Sequence, residues 1–300
     1  MKASAPPISA SPTCEKAGVG VFLELIKARL TSLVLLTTLV GFYVGSPGVP
    51  DYALMFHALV ATGLVASGAA ALNQLLEREH DAKMTRTSSR PLPSGRIQPE
   101  TVLVFGTVCA GGGLLYLVLA VNSLTAALGA LTLTLYLVVY TPLKRITPLN
   151  TVVGAVPGAF PPLMGWTASH GQATLEGWSL FAILFVWQIP HFLAIAWLYR
   201  EDYAKAGYAM LPVLDKTGER TRQHVLISTA GLLLVSLVPY VLGLTGNLYL
   251  VGAVILSSAF LALAIRFGRE LNQTAARQLF FASIIFLPAL LTLMVLDRTR

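Results

Sequence analysis

Charged residues and cysteines are scarce in this sequence. Asp, Glu, Lys and Arg together make up 12% of the 300 residues, where a soluble protein has roughly a quarter. The two cysteines, Cys14 and Cys109, belong to no Cys-x-x-Cys or Cys/His group, which argues against a zinc or iron–sulfur centre. Residues 1–18 contain no apolar stretch followed by a cleavage site. We therefore predict that they form a disordered leader and not a signal peptide.

Long apolar runs take the place of the missing charge. Hydrophobic residues make up 55% of the chain, and a helix needs about 20 of them in sequence to cross a bilayer. The runs are continuous and lack the alternation of barrel strands, so they predict helices. We expect an all-α membrane protein with nine transmembrane helices around a central cavity. The predicted spans are Val19–Gly45, Tyr52–Leu76, Thr101–Ala120, Leu124–Tyr140, Thr151–Ala168, Trp178–Leu198, Val225–Leu242, Leu248–Ile265 and Leu279–Leu296.

The basic residues indicate how these spans are oriented. If the N-terminus lies in the cytoplasm, 19 of the 21 Lys and Arg residues fall on the cytoplasmic side, and only Arg298 and Arg300 fall outside. This distribution follows the positive-inside rule. The net charge of +7 is then explained by topology, and no soluble domain presents a basic patch, so we expect no nucleic-acid partner. The leader would be cytoplasmic, and residues 19–300 would form a single transmembrane domain in the lipid bilayer.

Oxygen-bearing side chains recur at helical spacing where the second span ends. Asn73, Glu77 and Asp81 are four residues apart, so a helix places them on one face, over about 12 Å of its axis. Amide and carboxylate oxygens suit a hard cation such as Mg²⁺, which also bridges to substrate phosphates. The alternative is a solvated helix end whose charged residues simply face water. Spacing alone leaves both interpretations open.

Cationic side chains follow these acids. Lys83, Arg86 and Arg90 come directly after them, and Lys144 and Arg145 lie at the inner end of the fourth span. Guanidinium and ammonium groups beside a metal suit the binding of a diphosphate. The positive-inside rule explains the same residues without any substrate.

A second long loop begins after the sixth span. Its Glu201 and Asp202 are candidates for holding another cation. The alternative is a surface charge pair with Arg200 or Lys205.

The sixth span contains His191, directly after Pro190. An ionisable group at membrane depth is a functional candidate, because leaving it unpaired is costly. His191 could therefore ligate haem iron or act on protons. A histidine that is only hydrogen-bonded to a neighbouring carbonyl is the alternative.

The acidic and basic residues together resemble a known signature. The run N-x-x-x-E-x-x-x-D-x-x-M-x-R-T-x-x-R-P-L from Asn73 to Leu92 is similar to the first motif of UbiA-type intramembrane prenyltransferases. Many relatives have Asp at the position of Glu77. Glu at this position resembles the branch that farnesylates protohaem IX. The resemblance covers most of the chain beyond the leader. Further matching stretches are Tyr140–Arg145 with Thr147 and Asn150, Trp187–Phe192, Glu201–Tyr203, and Ala206-Gly207 with Met210–Pro212.

The resemblance implies a function. It implies a prenyltransferase domain in the cell inner membrane, with its site facing the cytoplasm. This domain would transfer the farnesyl group of farnesyl diphosphate to a vinyl group of protohaem IX. Water would then add, giving haem O for haem A biosynthesis. Haem would be a substrate and not a cofactor, and the product would pass towards a haem A synthase or haem–copper oxidase assembly.

The resemblance also implies roles for the residues named above. Asn73, Glu77 and Asp81 would hold one Mg²⁺, and Glu201 and Asp202 would help to hold a second, with Asn73, Glu77, Asp81 and Asp202 counted as catalytic. The chain departs from the broader pattern four residues after Asp202, where Ala206 stands in place of a frequent Asp. The implied diphosphate-binding residues are Lys83, Arg86, Arg90, Lys144 and Arg145.

Two other functions remain open from the sequence. A related prenyltransferase could act on a quinone precursor or a chlorophyll-type acceptor, since the acidic motif does not select the acceptor. A transporter could carry the same charged loops, although it would more often place ionisable groups near the middle of the membrane.

Overall fold

The fold is built almost entirely from helices. The computed structural model describes residues 18–299, and no β-strand occurs among them. The predicted leader therefore lies outside the described residues, apart from Gly18. The helices are α1 (Val19–Leu25), α2 (Ala28–Gly45), α3 (Tyr52–Asp81), α4 (Pro99–Ala120), α5 (Ser123–Thr134), a π-helix (Leu135–Tyr140), α6 (Thr141–Leu143), α7 (Asn150–His170), α8 (Leu175–Leu198), α9 (Arg200–Lys205), α10 (Leu211–Leu214), α11 (Glu219–Val241), α12 (Asn247–Glu270) and α13 (Gln273–Leu296).

The long helices coincide with the predicted spans but extend past several of them. Within residues 18–299, eight helices are long and apolar enough to cross a membrane, which confirms an all-α architecture with many spans. The fifth predicted span is present as α7, but it does not reach the same apolarity, so the count of nine stays a prediction. Helices α3 and α12 end in charged residues that the apolar windows left out.

The first predicted span was wrong as one continuous helix. It is divided between Leu25 and Ala28, because Lys27 adopts a left-handed backbone conformation with φ 50°. An L-residue with a side chain rarely adopts this conformation, so a regular helix cannot continue through it. The result is a short helix α1 that meets α2 at Lys27, beside the end of α3.

Helix α7 lies at the centre of the bundle. It packs against α2, α3, α5, the π-helix and α8, and most of its residues are buried. It carries three internal prolines, Pro157, Pro161 and Pro162. A helix surrounded by protein needs no apolar surface for lipid, and its neighbours can compensate backbone groups that proline leaves unpaired. This explains why α7 is less apolar than the outer helices.

The two long loops both lie at the end of the bundle where α3 and α8 finish. The first loop is attached to α1 through the ion pair of Arg96 and Glu24, whose nitrogen and oxygen are 2.6 Å apart. The hydrogen bond from Arg96 lowers the pKa of Glu24. The second loop packs Tyr208 and Met210 against Met84 of the first loop. The loops are thereby held over the same region of the bundle.

Close packing of α2 on α7 generates a stability prediction. A Cβ on Gly165 would overlap the backbone oxygen of Thr38, whereas a Cβ on Gly111 of α4 would meet no atom within 4 Å. We expect Gly165→Ala to force the two helices apart and to cost about 1–3 kcal/mol of unfolding free energy. The matched substitution Gly111→Ala meets no atom and should not lower stability. Thermal unfolding in detergent measures both, and equal midpoints for the two variants would contradict this account.

Candidate active site

The end of α3 carries a buried polar face. Asn73, Glu77 and Asp81 are 0%, 3% and 1% exposed, whereas Arg78 and Glu79 between them are exposed. The spacing of four residues places the three buried groups on one side of the helix. The hypothesis of a solvated helix end is therefore wrong for Glu77 and Asp81, although it describes Arg78 and Glu79.

Each buried carboxylate is paired with a cation from another segment. Lys144 Nζ lies 2.7 Å from Glu77 Oε1, and Arg90 donates to Asp81 Oδ2 at 2.6 Å. Asn73 accepts from Lys27 Nζ at 3.0 Å. A charge buried without a partner costs several kcal/mol, so these contacts allow the carboxylates to remain ionised in a site largely removed from water.

The surroundings shift the pKa values of the two lysines in opposite directions. Burial, and after it the charge of Arg90, lowers the pKa of Lys27 to about 7. Burial alone would also lower the pKa of Lys144, but Tyr140 and Glu77 oppose it and hold the pKa well above its usual value. Lys144 is thus a fixed positive charge.

Aromatic rings form the side of the site that faces into the bundle. The ammonium group of Lys144 lies 4.5 Å from the centre of the Tyr140 ring, and Tyr136 stacks on Tyr140 with a centroid distance of 5.7 Å. Both tyrosines belong to the π-helix. A π-helical turn is rare in proteins, and those that occur are often found at functional sites. Here it places Tyr136 and Tyr140 one turn apart, and the Tyr140 ring covers Gly154 of α7.

These groups enclose a small cavity. Its volume is about 90 Å³. Of the predicted site residues, the structure brings Glu77, Asp81, Arg86, Arg90 and Lys144 to its wall. The complete lining is Lys27, Glu77, Asp81, Met84, Arg86, Arg90, Tyr140, Lys144, Tyr203, Tyr208 and Met210.

The second loop closes the site through hydrogen bonds to the first. Asp202 accepts from Thr85 Oγ1 at 3.3 Å and from the Arg86 backbone N–H at 3.4 Å. The Arg86 guanidinium donates to the Tyr203 hydroxyl at 3.0 Å. Asp202 therefore joins the two loops, and Glu201, on the same short helix, is exposed.

The end of the fourth span is also joined to the second loop. The backbone N–H of Ala209 donates to the Lys144 carbonyl at 2.7 Å, and the Asn150 side chain donates to the Ala209 carbonyl at 3.0 Å. These two bonds position Tyr208 and Met210 at the cavity. Asn150, which belongs to the sequence motif, therefore has a structural role in holding the second loop.

Six predicted residues are outside the cavity lining: Asn73, Lys83, Arg145, His191, Glu201 and Asp202. Lys83 and Arg145 are exposed, and Arg145 reaches the Leu76 carbonyl at 3.4 Å. His191 faces α13, where its Nδ1 is 2.7 Å from the Ser283 hydroxyl. Its ring stacks between Trp187 and Phe280, with centroid distances of 4.9 and 5.3 Å. The partner of His191 is thus a hydroxyl on another helix.

Sequence reasoning missed Lys27 and the tyrosines of the lining. By sequence, Lys27 is one of the 19 basic residues that membrane topology explains, and nothing in its local pattern sets it apart. Tyr203, Tyr208 and Met210 belong to a loop whose path over the site is decided by contacts distant in sequence. Tyr140 belongs to a stretch that resembles the family motif, but the resemblance assigned a role there only to Lys144 and Arg145.

The donor set can hold a hard divalent cation bound to an anion. Each ion pair engages one oxygen of its carboxylate, so Glu77 and Asp81 retain a second oxygen for a metal. No group of three or more His, Cys, Asp or Glu side chains is suitably placed in residues 18–299. A metal would therefore take two carboxylates and complete its coordination with water and phosphate oxygens, as Mg²⁺ commonly does.

A helical membrane bundle with buried acids and cations at one end defines an intramembrane enzyme that handles a charged group beside lipid. Residues 34–287 match the UbiA prenyltransferase family, and the chain belongs to that family. It is 47% identical to the protoheme IX farnesyltransferase of Solibacter usitatus, over 92% of this chain and 98% of that protein. It is 38% identical to the mitochondrial protoheme IX farnesyltransferase of Arabidopsis thaliana, over 92% of this chain and 64% of that one.

Solved structures share the fold at low sequence identity. A digeranylgeranylglyceryl phosphate synthase superimposes with a TM-score of 0.79 at 18% identity, over 93% of this chain and 98% of that chain. A UbiA homologue from Archaeoglobus fulgidus, bound to GPP and Mg²⁺, gives 0.63 at 16% identity, over 91% and 99%. The prediction of a multi-pass UbiA-type membrane protein is confirmed.

Proposed function

We propose that this chain transfers the farnesyl group of farnesyl diphosphate to a vinyl group of protohaem IX, and that water adds to give haem O. The observation that carries the proposal is the pair of buried carboxylates, Glu77 and Asp81, among cations at the wall of one cavity. The names of the relatives that are 38–47% identical support haem as the acceptor.

The cations suit the leaving group of this reaction. Ionisation of an allylic diphosphate develops negative charge on the departing oxygens, and fixed positive charges stabilise it. We assign that role to Arg86, Arg90 and Lys144, which line the cavity, and to Lys27 in its protonated form. Lys83 and Arg145 remain predicted as further diphosphate contacts, from exposed positions beside it.

The resident metal we infer is Mg²⁺, held by Glu77 and Asp81; a bond from Asn73, whose Oδ1 accepts from Lys27, stays a prediction. When bound, it would neutralise charge on the diphosphate oxygens as a Lewis acid. A structure of the same fold that holds GPP and Mg²⁺ supports this choice. A second ion on Glu201 and Asp202 stays a prediction, and the bonds from Asp202 to the first loop leave that side chain less available for it.

Tyr136 and Tyr140 suit the reacting carbon. The Tyr140 ring faces Lys144, and Tyr136 stacks on Tyr140. Aromatic faces attract cations where water is scarce. The loops and Met84 and Met210 restrict water at the other side. We further propose that the site faces the cytoplasm in the cell inner membrane, as the basic residues predict, and that haem O passes to a haem A synthase or oxidase assembly.

The proposed reaction is tested by incubating the purified protein with haem, farnesyl diphosphate and Mg²⁺. We expect pyrophosphate release and a haem heavier by one farnesyl group plus water, identified by mass spectrometry. Omission of Mg²⁺ should stop both. Unaltered haem, together with prenylation of a quinone precursor offered in parallel, would show that the acceptor is wrong.

The role of the acidic face is tested with two matched substitutions. Glu77→Gln removes a buried charge that contacts Lys144, so we expect pyrophosphate release to fall at least about 100-fold, the effect of losing a few kcal/mol of transition-state stabilisation. Glu79→Gln makes the same chemical change at an exposed position two residues away and should retain activity. Calorimetric titration with Mg²⁺ and farnesyl diphosphate should show weaker binding for Glu77→Gln alone. Similar behaviour of the two variants would remove Glu77 from the site.

The proposal that His191 contacts haem has its own test. We compare haem titrations of the wild type, His191→Asn and His224→Asn, followed by Soret absorbance without farnesyl diphosphate. His224 is exposed at the start of α11 and provides the control. If His191 binds iron, its variant should show a changed spectrum and weaker affinity. Superimposable titrations would leave His191 as a packing residue held by Ser283.

A further inference from the structure

A carboxamide lies in the middle of α8 and faces α7. Gln188 is 5% exposed, and its Nε2 donates to the Leu184 carbonyl at 3.0 Å and to the Ala155 carbonyl at 3.4 Å. Both donor hydrogens are thus used by backbone oxygens. Its Oε1 accepts no hydrogen bond from the described residues 18–299. An amide oxygen without a donor in an apolar bundle is costly unless another molecule supplies one.

That oxygen points at Gly158, a gap in the central helix. Gly158 is exposed although Pro157 and Ala159 on either side are buried, so open space reaches the backbone here. A Cβ at this position would overlap Gln188 Oε1. Only glycine therefore leaves room for the amide oxygen in the arrangement observed.

Gly158 contributes a second acceptor. A helical carbonyl accepts from the N–H four residues later, or three later in a 3₁₀ turn. For Gly158 both positions are proline, Pro161 and Pro162, and neither has an N–H. Its carbonyl and Gln188 Oε1 are thus two acceptors on facing residues of α7 and α8, beside open space.

Two acceptors without donors define a site for water. A water molecule that donates a hydrogen bond to each of them satisfies both and keeps its lone pairs directed away from them. Such a water is oriented as a nucleophile.

The location fits the reacting end of the donor. Gly154, four residues before Gly158 and so on the same face of α7, is covered by the ring of Tyr140. The ammonium group of Lys144 lies 4.5 Å from the centre of the same ring. Gly158 therefore lies about 6 Å further along α7, one helical turn deeper than the rings beside the ion pair.

We infer that Gln188 and the Gly158 carbonyl position the water that becomes the hydroxyl of the product. The inference rests on the proposed function. The C–O bond of the donor breaks and diphosphate leaves, while farnesyl C1 bonds to the outer vinyl carbon and leaves a cation on the carbon next to the porphyrin. The water oxygen bonds to that carbon, and the proton it loses passes to the released diphosphate. Gln188 is thus a positioning residue and takes no proton itself.

The test measures the ratio of two products. If water is badly placed, the cation loses a proton instead, and the farnesylated haem is an alkene, lighter by one water. We expect Gln188→Leu to lower the ratio of hydrated to alkene product about tenfold, the effect of losing one hydrogen bond, while pyrophosphate release continues. Gly158→Ala should shift the ratio in the same direction, because its Cβ displaces the amide oxygen. Gln188→Glu keeps a carbonyl oxygen but loses both donors to the Leu184 and Ala155 carbonyls, so it should also lower the ratio.

The controls separate positioning from packing. Gln278→Leu makes the same substitution in α13 and should leave the ratio unchanged, and labelled water should appear in the hydroxyl of the wild-type product. An unchanged ratio in both Gln188→Leu and Gly158→Ala, even with less of both products, would overturn the inference and indicate a structural role. A wild type that yields no farnesylated haem would instead overturn the proposed function.

Discussion

The burial of two carboxylates at a helix end is the constraint on which the rest of the site depends. Glu77 and Asp81 are almost completely buried, and an ionised group in such a position must be paired. The cations come from separate parts of the chain, since Lys144 is 67 residues from Glu77 in sequence and Arg90 lies in the loop after α3. Satisfying these charges therefore holds the end of the fourth span and the first loop against α3.

The same constraint explains why the loops are ordered around the site. Asp202 binds the first loop through Thr85 and the Arg86 backbone, and Ala209 binds the carbonyl of Lys144. The second loop is thus attached to the residues that neutralise the carboxylates. A charged cavity between the two loops and the end of α3 follows, with the Tyr140 ring in its wall.

The central helix shows how an interior position changes what a membrane helix can contain. Helix α7 tolerates three prolines and polar termini because protein surrounds it on most sides. Where prolines remove donors, carbonyl oxygens become available to other groups. Gln188 of α8 contacts α7 at such a position, next to open space and one turn from the residue that the Tyr140 ring covers.

Local pattern alone determined much of this protein. Apolar runs predicted the long helices, since lipid leaves the backbone no other partner, and spacing of four residues predicted the shared face of Asn73, Glu77 and Asp81. Local pattern did not reveal the break at Lys27, the π-helix at Tyr136 and Tyr140, or whether Glu77 faced water or protein. The tertiary structure decided these, along with the choice of Lys27 over Lys83 and the position of His191 against Ser283. The physical reason is that burial and charge pairing depend on segments far apart in sequence, whereas helix formation depends on neighbours a turn away.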